Sequence, residues 1–316
     1  MILLSVTLNS RAISFVTGLL IAGQSRINGE LSAQMGDSLE AALVSFGSGL
    51  IFVSLISAFR KDVRAGFKDI FTAVKNKDLL RWRLGAGVLG ASFVAMQTHV
   101  VPIVGVALFT VASLAGQTAI SLWVDNVGLM GSGKNVVTIR RVVAAVITVL
   151  AVIISARDRF SMSNFSPLAI FLAIVAGGWV GVQRALNGQI NNYSNKSFAT
   201  SQLNFITGTS FLLLLLILRS LFTDHSIMNF STGPWWMFLG GSMGVVYIAF
   251  SAVAVQHLGV LDFTLFSVGG MLFGSLLIDI FAPTQGTVIS WYLIAGILIT
   301  YLGVITNGQS RVSRKS

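Results

Sequence analysis

Cysteine is absent from this chain, which excludes disulfides and thiolate metal sites. Its three histidines, His99, His225 and His257, lack metal-ligand spacing, so neither a metal nor another cofactor is expected. No nucleophile stands with a base and an orienting group, and an enzyme is therefore not expected either. Charge is scarce: Asp, Glu, Lys and Arg make up 10% of the chain, against 54% hydrophobic residues and a mean hydropathy of +0.82. A soluble fold of 316 residues could hardly keep that balance in solution, which leaves a polytopic protein of the lipid bilayer. The net charge of +10 does not point to nucleic acid, because eight of the twenty-one Lys and Arg fall between Arg60 and Arg83, in one polar interruption of the kind an inner loop carries. The N-terminus has no basic region before its apolar run and no evident small-residue cleavage site after it, so that run reads as a retained helix.

A hydrocarbon core about 30 Å thick needs roughly 20 residues of helix. Apolar runs of that order cover 12–31, 39–59, 84–101, 103–124, 136–155, 166–187, 199–222, 235–256, 259–281 and 288–306. The expected fold is therefore an all-α membrane protein with ten transmembrane helices.

Two halves are written into it. Gln24-Ser-Arg-Ile-Asn28-Gly29 returns as Gln183-Arg-Ala-Leu-Asn187-Gly188, an offset of 159, and Ser38, Phe46 and Gly49 match Ser197, Phe205 and Gly208 at the same offset. After a shorter loop the offset becomes 154: Gly105 to Val127 and Gly259 to Phe281 share nine of 23 positions, among them Thr110, Ser113, Gly116, Ser121 and Asp125. Membrane composition does not favour Thr, Ser and Asp, so greasiness alone is a poor explanation. The expected division is 1–157 and 158–316. Five spans per half is an odd number, so the chain enters its second half from the opposite side of the membrane and the repeats are inverted.

With the N-terminus inside, seventeen of the basic residues fall in inner segments and four, Arg26, Arg157, Arg159 and Arg219, in outer ones, which places both termini in the cytoplasm. Between spans two and three, Val63, Phe67, Ile70, Phe71 and Val74 fall at i, i+4, i+7, i+8 and i+11 with Lys and Arg between, a pattern for a helix in the inner headgroup region.

Amide side chains are costly in hydrocarbon unless partnered, so Gln24/Asn28 and Gln183/Asn187, each pair on one helical face, should point into the bundle. They read either as a substrate cavity or gate or as interhelical glue, a hydrogen bond between helices being worth about 1 kcal/mol. Thr110, Ser113 and Gln117 form a polar stripe at i, i+3 and i+7, which Thr264 and Ser267 repeat while Met271 replaces the glutamine. Asp262, one turn into span nine, and Arg184, beside the Gln183/Asn187 face, are candidates for charge coupling or anion binding, with Arg184 or His257 as partners for Asp262. Asp125 and Asp279 end spans four and nine, where solvent is expected, and Arg26 is expected to snorkel outward. Gly128 to Asn135 resembles a phosphate-binding GxxxxGK[ST] loop, but Asn135 replaces the magnesium-binding hydroxyl and no strand precedes it, so it reads as an inner turn.

On the doubled Gln-x-x-x-Asn with Gly49 and Gly208, and on Gly105 through Gly116-Gln117 to Asp125, the chain resembles the drug/metabolite transporter (DMT) superfamily. Within it the resemblance is to the YdcZ-type bacterial inner-membrane exporters, which occur as five-helix proteins or fused ten-helix chains. It runs from about Ser10 to Ile305. It implies a ten-helix inverted repeat around a central cavity, lined mainly by the first four helices of each half, with the fifth and tenth peripheral. It also implies export of a small molecule across the bacterial inner membrane. Proton antiporters among the small relatives carry a mid-helix glutamate in span one; here it is missing, which argues against proton coupling by that route.

The expected function is a secondary transporter of a small polar metabolite or drug-like molecule, working by alternating access. The alternative is a non-transporting membrane scaffold or sensor with the same fold. Monomer and homodimer are both compatible with the sequence.

Overall fold

In hydrocarbon every backbone N–H and C=O must find its partner within the chain, and the long apolar runs do so as helices. The computed structural model describes residues 2–129, 137–160, 166–223 and 233–312, and among these there is no β-strand. Most of the Gly128–Asn135 turn, Lys134, His225, Arg314 and Lys315 lie outside the described residues, as do the side chains of His257 and Arg311.

The helices are α1 (Ile2–Met35), α2 (Ser38–Phe59), α3 (Lys61–Lys75), α4 (Ala86–Val104), α5 (Val106–Asn126), α6 (Ile139–Ser155), α7 (Pro167–Ser194), α8 (Ser197–Phe222), α9 (Gly240–Phe281) and α10 (Trp291–Val312). Local signals set their ends. Asp37 caps α2 by accepting from Leu39 N at 2.9 Å and Glu40 N at 3.0 Å. Ser166 caps α7 ahead of Pro167, and Asn195, left-handed at φ 48°, ends it. Helix α3 buries Val63 and Ile70 of the expected apolar face, together with Gly66 and Ala73, half-buries Phe67 and Val74, and leaves Phe71 exposed with its basic residues.

Seven stretches among the described residues are long and apolar enough to cross a membrane: 38–59, 81–104, 106–126, 139–159, 167–194, 197–222 and 262–281, with shorter apolar helices at Trp235–Ile248 and Trp291–Thr306. Helix α1 is not among them; it is long enough, but Arg11, Gln24, Arg26 and Asn28 dilute its apolar character.

Spans eight and nine are expected to be separate, but the helix from Gly240 to Phe281 is unbroken. A straight helix of 42 residues would be about 63 Å long. Yet Gly240, at its start, lies against Asn28, while Ala282, just past its end, accepts from Arg26 Nε at 2.8 Å. Both ends of α9 therefore sit at the same level of α1. Along the first arm Gly240 and Gly244 descend past Asn28 and Gln24; along the second, Gly270 and Gly274 ascend past Phe15 and Leu19. The arms run antiparallel, so the chain reverses direction between Gly244 and Gly270.

The packing is reciprocal at the sequence offsets. Gly18 lies on the backbone of Ser267, as Gly177 does on that of Ser113. Gly270 lies on the backbone of Phe15, as Gly116 does on that of Ile174. Gly49 lies under the ring of Phe205 and Gly208 under that of Phe46. Gly87 meets Asn204 and Thr207; Gly241 meets their counterparts Ser45 and Ser48. A Cβ at any of these glycines would overlap the facing atoms, so the close crossings need them. Helices α6 and α10 pack on each other through Gly296 against Ser155 and Gly303 against Thr148.

The acidic span ends depart from expectation. Asp125 and Asp279 are not near solvent: they are 3% and 1% exposed. Asp279 accepts from Val106 N at 2.9 Å and Ala107 N at 2.8 Å, holding the first turn of α5, where the positive end of the helix favours a carboxylate. Gly105 turns the chain into that helix at φ +81°, and a Cβ there would meet this carboxylate. Asp125 pairs with buried Arg141. Arg26, expected to snorkel, pairs with Glu30 at 2.7 Å as well as capping α9.

Candidate substrate cavity

Where α1, α2, α4, α5, α7, α8 and both arms of α9 converge they leave a cavity of about 370 Å³. Of the residues singled out from sequence, it brings together Gln24, Thr110, Ser113, Gln117, Gln183, Arg184 and Asn187. Met271, the counterpart of Gln117, lines it too. Asn28, Thr264, Ser267 and Asp262 do not line it. Ser267 donates to Thr264 O at 3.1 Å within its own helix and packs on Gly18. Asp262 is half-buried at the start of the second arm and makes no ion pair with Arg184 among the described residues.

The two amide pairs have different surroundings. Asn28 is fully buried: its Nδ2 donates to Gln97 Oε1 at 2.8 Å, and Gln97 Nε2 donates to Ser25 Oγ at 2.8 Å. This chain ties α1 to α4. In the second half Asn204 mediates instead. Gln183 Nε2 donates to Asn204 Oδ1 at 3.1 Å, and Asn204 Nδ2 donates to Asn187 Oδ1 at 2.8 Å and to Thr200 O at 2.8 Å. These amides remain on the cavity wall.

The cavity's axial extent follows from that difference. On α1 its wall stops at Ser25, whereas on α7 it continues from Val180 to Asn191 and on α8 it begins at Ser197, next to the turn joining the two helices. Eleven residues along α7 correspond to about 16 Å. The lining thus extends as far as Asn191 and Ser197, beside the α7–α8 turn, but on α1 stops short of Asn28.

Apolar rings of Phe46, Phe93, Phe109 and Phe205 form much of the remaining wall. Ser45 and Ser201 also belong to the wall, though their Oγ atoms are buried away from it and have no hydrogen-bond partner among the described residues. Sequence reasoning misses Gln97, Asn204, Tyr247 and the phenylalanines. Asn204 carries one usable signal, since its counterpart at the 159 offset, Ser45, is also polar and also lines the cavity. Among the described residues no group of His, Asp and Glu could hold a metal ion.

A family model described as "Putative inner membrane exporter, YdcZ" matches residues 10–154 and 168–306, one stretch in each half. No curated protein matches the chain. A solved structure described only as "Crystal structure of protein" is similar over 95% of this chain and 96% of its own, with a TM-score of 0.52 at 12% identity, a likeness of fold alone.

Proposed function

The chain belongs to the YdcZ family of inner membrane exporters, and from that premise we propose that it is a secondary transporter that moves a small polar metabolite or drug-like molecule outward by alternating access. In this reading residues 1–157 and 158–316 are inverted five-helix repeats, the two arms of α9 are separate spans, and both termini are cytoplasmic. Gln24 and Asn28 then belong to the outer end and Gln183 and Asn187 to the inner end, with Thr110, Ser113 and Gln117 between them. Thr264, Ser267 and Asp262 pack the second arm rather than touch substrate.

One observation carries the proposal: the cavity lies where the reciprocal contacts Gly49–Phe205 and Gly208–Phe46 join the two halves. A cavity between two related halves changes access when one half rocks against the other, because the same contacts can be made at either end. The Asn28–Gln97–Ser25 chain and the wall running to Asn191 correspond to the inward-facing member of such a pair. Pure glue accounts for Asn28. The Asn204 bridge likewise gives Gln183 and Asn187 interhelical partners, but glue does not account for Gln24 and Gln117 on the wall of a shared void, so a scaffold is the weaker reading. The cavity wall offers amides, hydroxyls and rings but no nucleophile with an adjacent base, which suits binding rather than catalysis.

The test is a thermal-shift screen of metabolites and toxic amines, followed by flux of any hit in proteoliposomes. Gln24→Ala and Gln183→Ala should each lower flux several-fold; unchanged flux in both would end the gate assignment.

A further inference from the structure

Several arginines of the helices have polar partners. Arg141 pairs with Asp125, Arg26 with Glu30, and Arg219 with Asp37 and Glu40, while Arg159 donates to Val104 O at 2.8 Å. Arg184 differs from all of them. It lines the cavity, it is exposed there, and among the described residues it makes no hydrogen bond or ion pair. It is also the one charged side chain on the described wall, which holds no carboxylate. An unpaired guanidinium that lines a cavity walled by phenyl rings is free to take a carboxylate in a charge-assisted hydrogen bond.

A second observation is independent of charge. The rings of Phe46, Phe109 and Phe205 on the same wall call for an apolar body.

We infer that the transported solute is an amphipathic organic monoanion whose carboxylate pairs with Arg184 while its apolar body lies against the phenylalanine rings. One planar guanidinium matches one carboxylate in a two-point hydrogen bond, and without a second cation on the wall a more highly charged group would be left uncompensated. The inference rests on the transport reading for the word "transported" but not for the site itself.

Three probes of one carbon skeleton separate the charges: 3-phenylpropanoate, 3-phenylpropanamide and 3-phenylpropylamine. Each is titrated at pH 7 by calorimetry and thermal shift into the full chain in nanodiscs of zwitterionic lipid. The acid should bind, and the amide and amine should bind at least about tenfold more weakly. Arg184→Gln should weaken acid binding about tenfold or more without changing the Tm of the unliganded protein, and Arg184→Lys should fall between. Binding of the amide or amine as tight as that of the acid would overturn the inference. So would acid binding unchanged in Arg184→Gln, or no binding of the acid at millimolar concentration. Failure of transport is separable: Arg184-dependent acid binding without flux in proteoliposomes would remove the transport reading and keep the site. Flux of amines or neutral solutes with no acid binding would do the reverse.

Discussion

Phe46 and Phe205 meet with ring centroids 5.3 Å apart, each ring lying on the glycine that the other half supplies, Gly208 and Gly49. The two phenylalanines are each other's counterparts at the 159 offset, and in the proposed inverted-repeat reading a residue that touches its own counterpart lies beside the axis relating the halves. Both also line the cavity, so the site and the join between halves share side chains.

That contact makes Gly49→Ala a test of packing. A Cβ at Gly49 would overlap the Phe205 ring, and overpacking of this kind costs about 1–3 kcal/mol. The expected result is a lower Tm in detergent for Gly49→Ala, recovered in part by adding Phe205→Leu, which withdraws the ring. Equal and additive losses in the single and double variants would show that the two residues do not touch.

Gly116 and Gly270 should behave differently. Each faces backbone, that of Ile174 and of Phe15, so no side chain can withdraw. Gly116→Ala and Gly270→Ala are expected to cost at least as much as Gly49→Ala, with matched losses if the halves pack alike. Gly188→Ala, at a position with open space, is the control and should change Tm little.

The buried pair Asp125–Arg141 joins α5 to α6, with both side chains 5% exposed or less. Removing one partner leaves the other charge buried and uncompensated, at a cost of about 3–5 kcal/mol. Asp125→Asn and Arg141→Gln should each destabilise strongly. The double variant should lose less than the sum of the singles, read as Tm or as folded yield by gel filtration.

Asp37 gives a pH dependence outside the membrane spans. Burial pulls its carboxyl upward, but the Glu40 N–H, the Arg219 guanidinium and the Leu39 N–H together hold it below the ordinary carboxylate value. Its folded-state value is therefore depressed, so its contribution is present above the unfolded value, about 4, and is lost as pH falls through the folded one. Wild type should be more stable than Asp37→Asn at pH 7, and the gap should close as pH falls below about 4. A gap that widens with acid would contradict the assignment.

The doubled Gln-x-x-x-Asn, the 159 and 154 offsets and the paired glycines are all legible in the sequence, because close backbone crossings restrict residue type at both copies. The capping role of Asp279 is not, since the helix end it holds, at Val106, is 173 residues away. Gln97 is likewise invisible: its counterpart in the second half is Ser251, so symmetry lends it no weight, and only the fold brings it to Asn28. The unbroken helicity of α9 runs against two separate apolar runs in the sequence, yet its antiparallel arms recover the reversal those runs predict. Cavity phenylalanines look like any other membrane phenylalanine until their neighbours are placed.

The absence of native cysteine makes one measurement decisive for alternating access. Gln24 lines the cavity whose wall extends to the α7–α8 turn, so in the proposed inward-facing state it is open to that side, whereas Asn28 is buried against Gln97. Asn28→Cys and Asn187→Cys are therefore the informative pair, probed with a membrane-impermeant thiol reagent in right-side-out and inside-out vesicles. The account predicts that cysteine at 187 reacts only from the cytoplasmic face and cysteine at 28 only from the outer face, with a ligand that favours one state raising one rate while lowering the other. Reaction of both positions from the same face, or of neither from any, would contradict it.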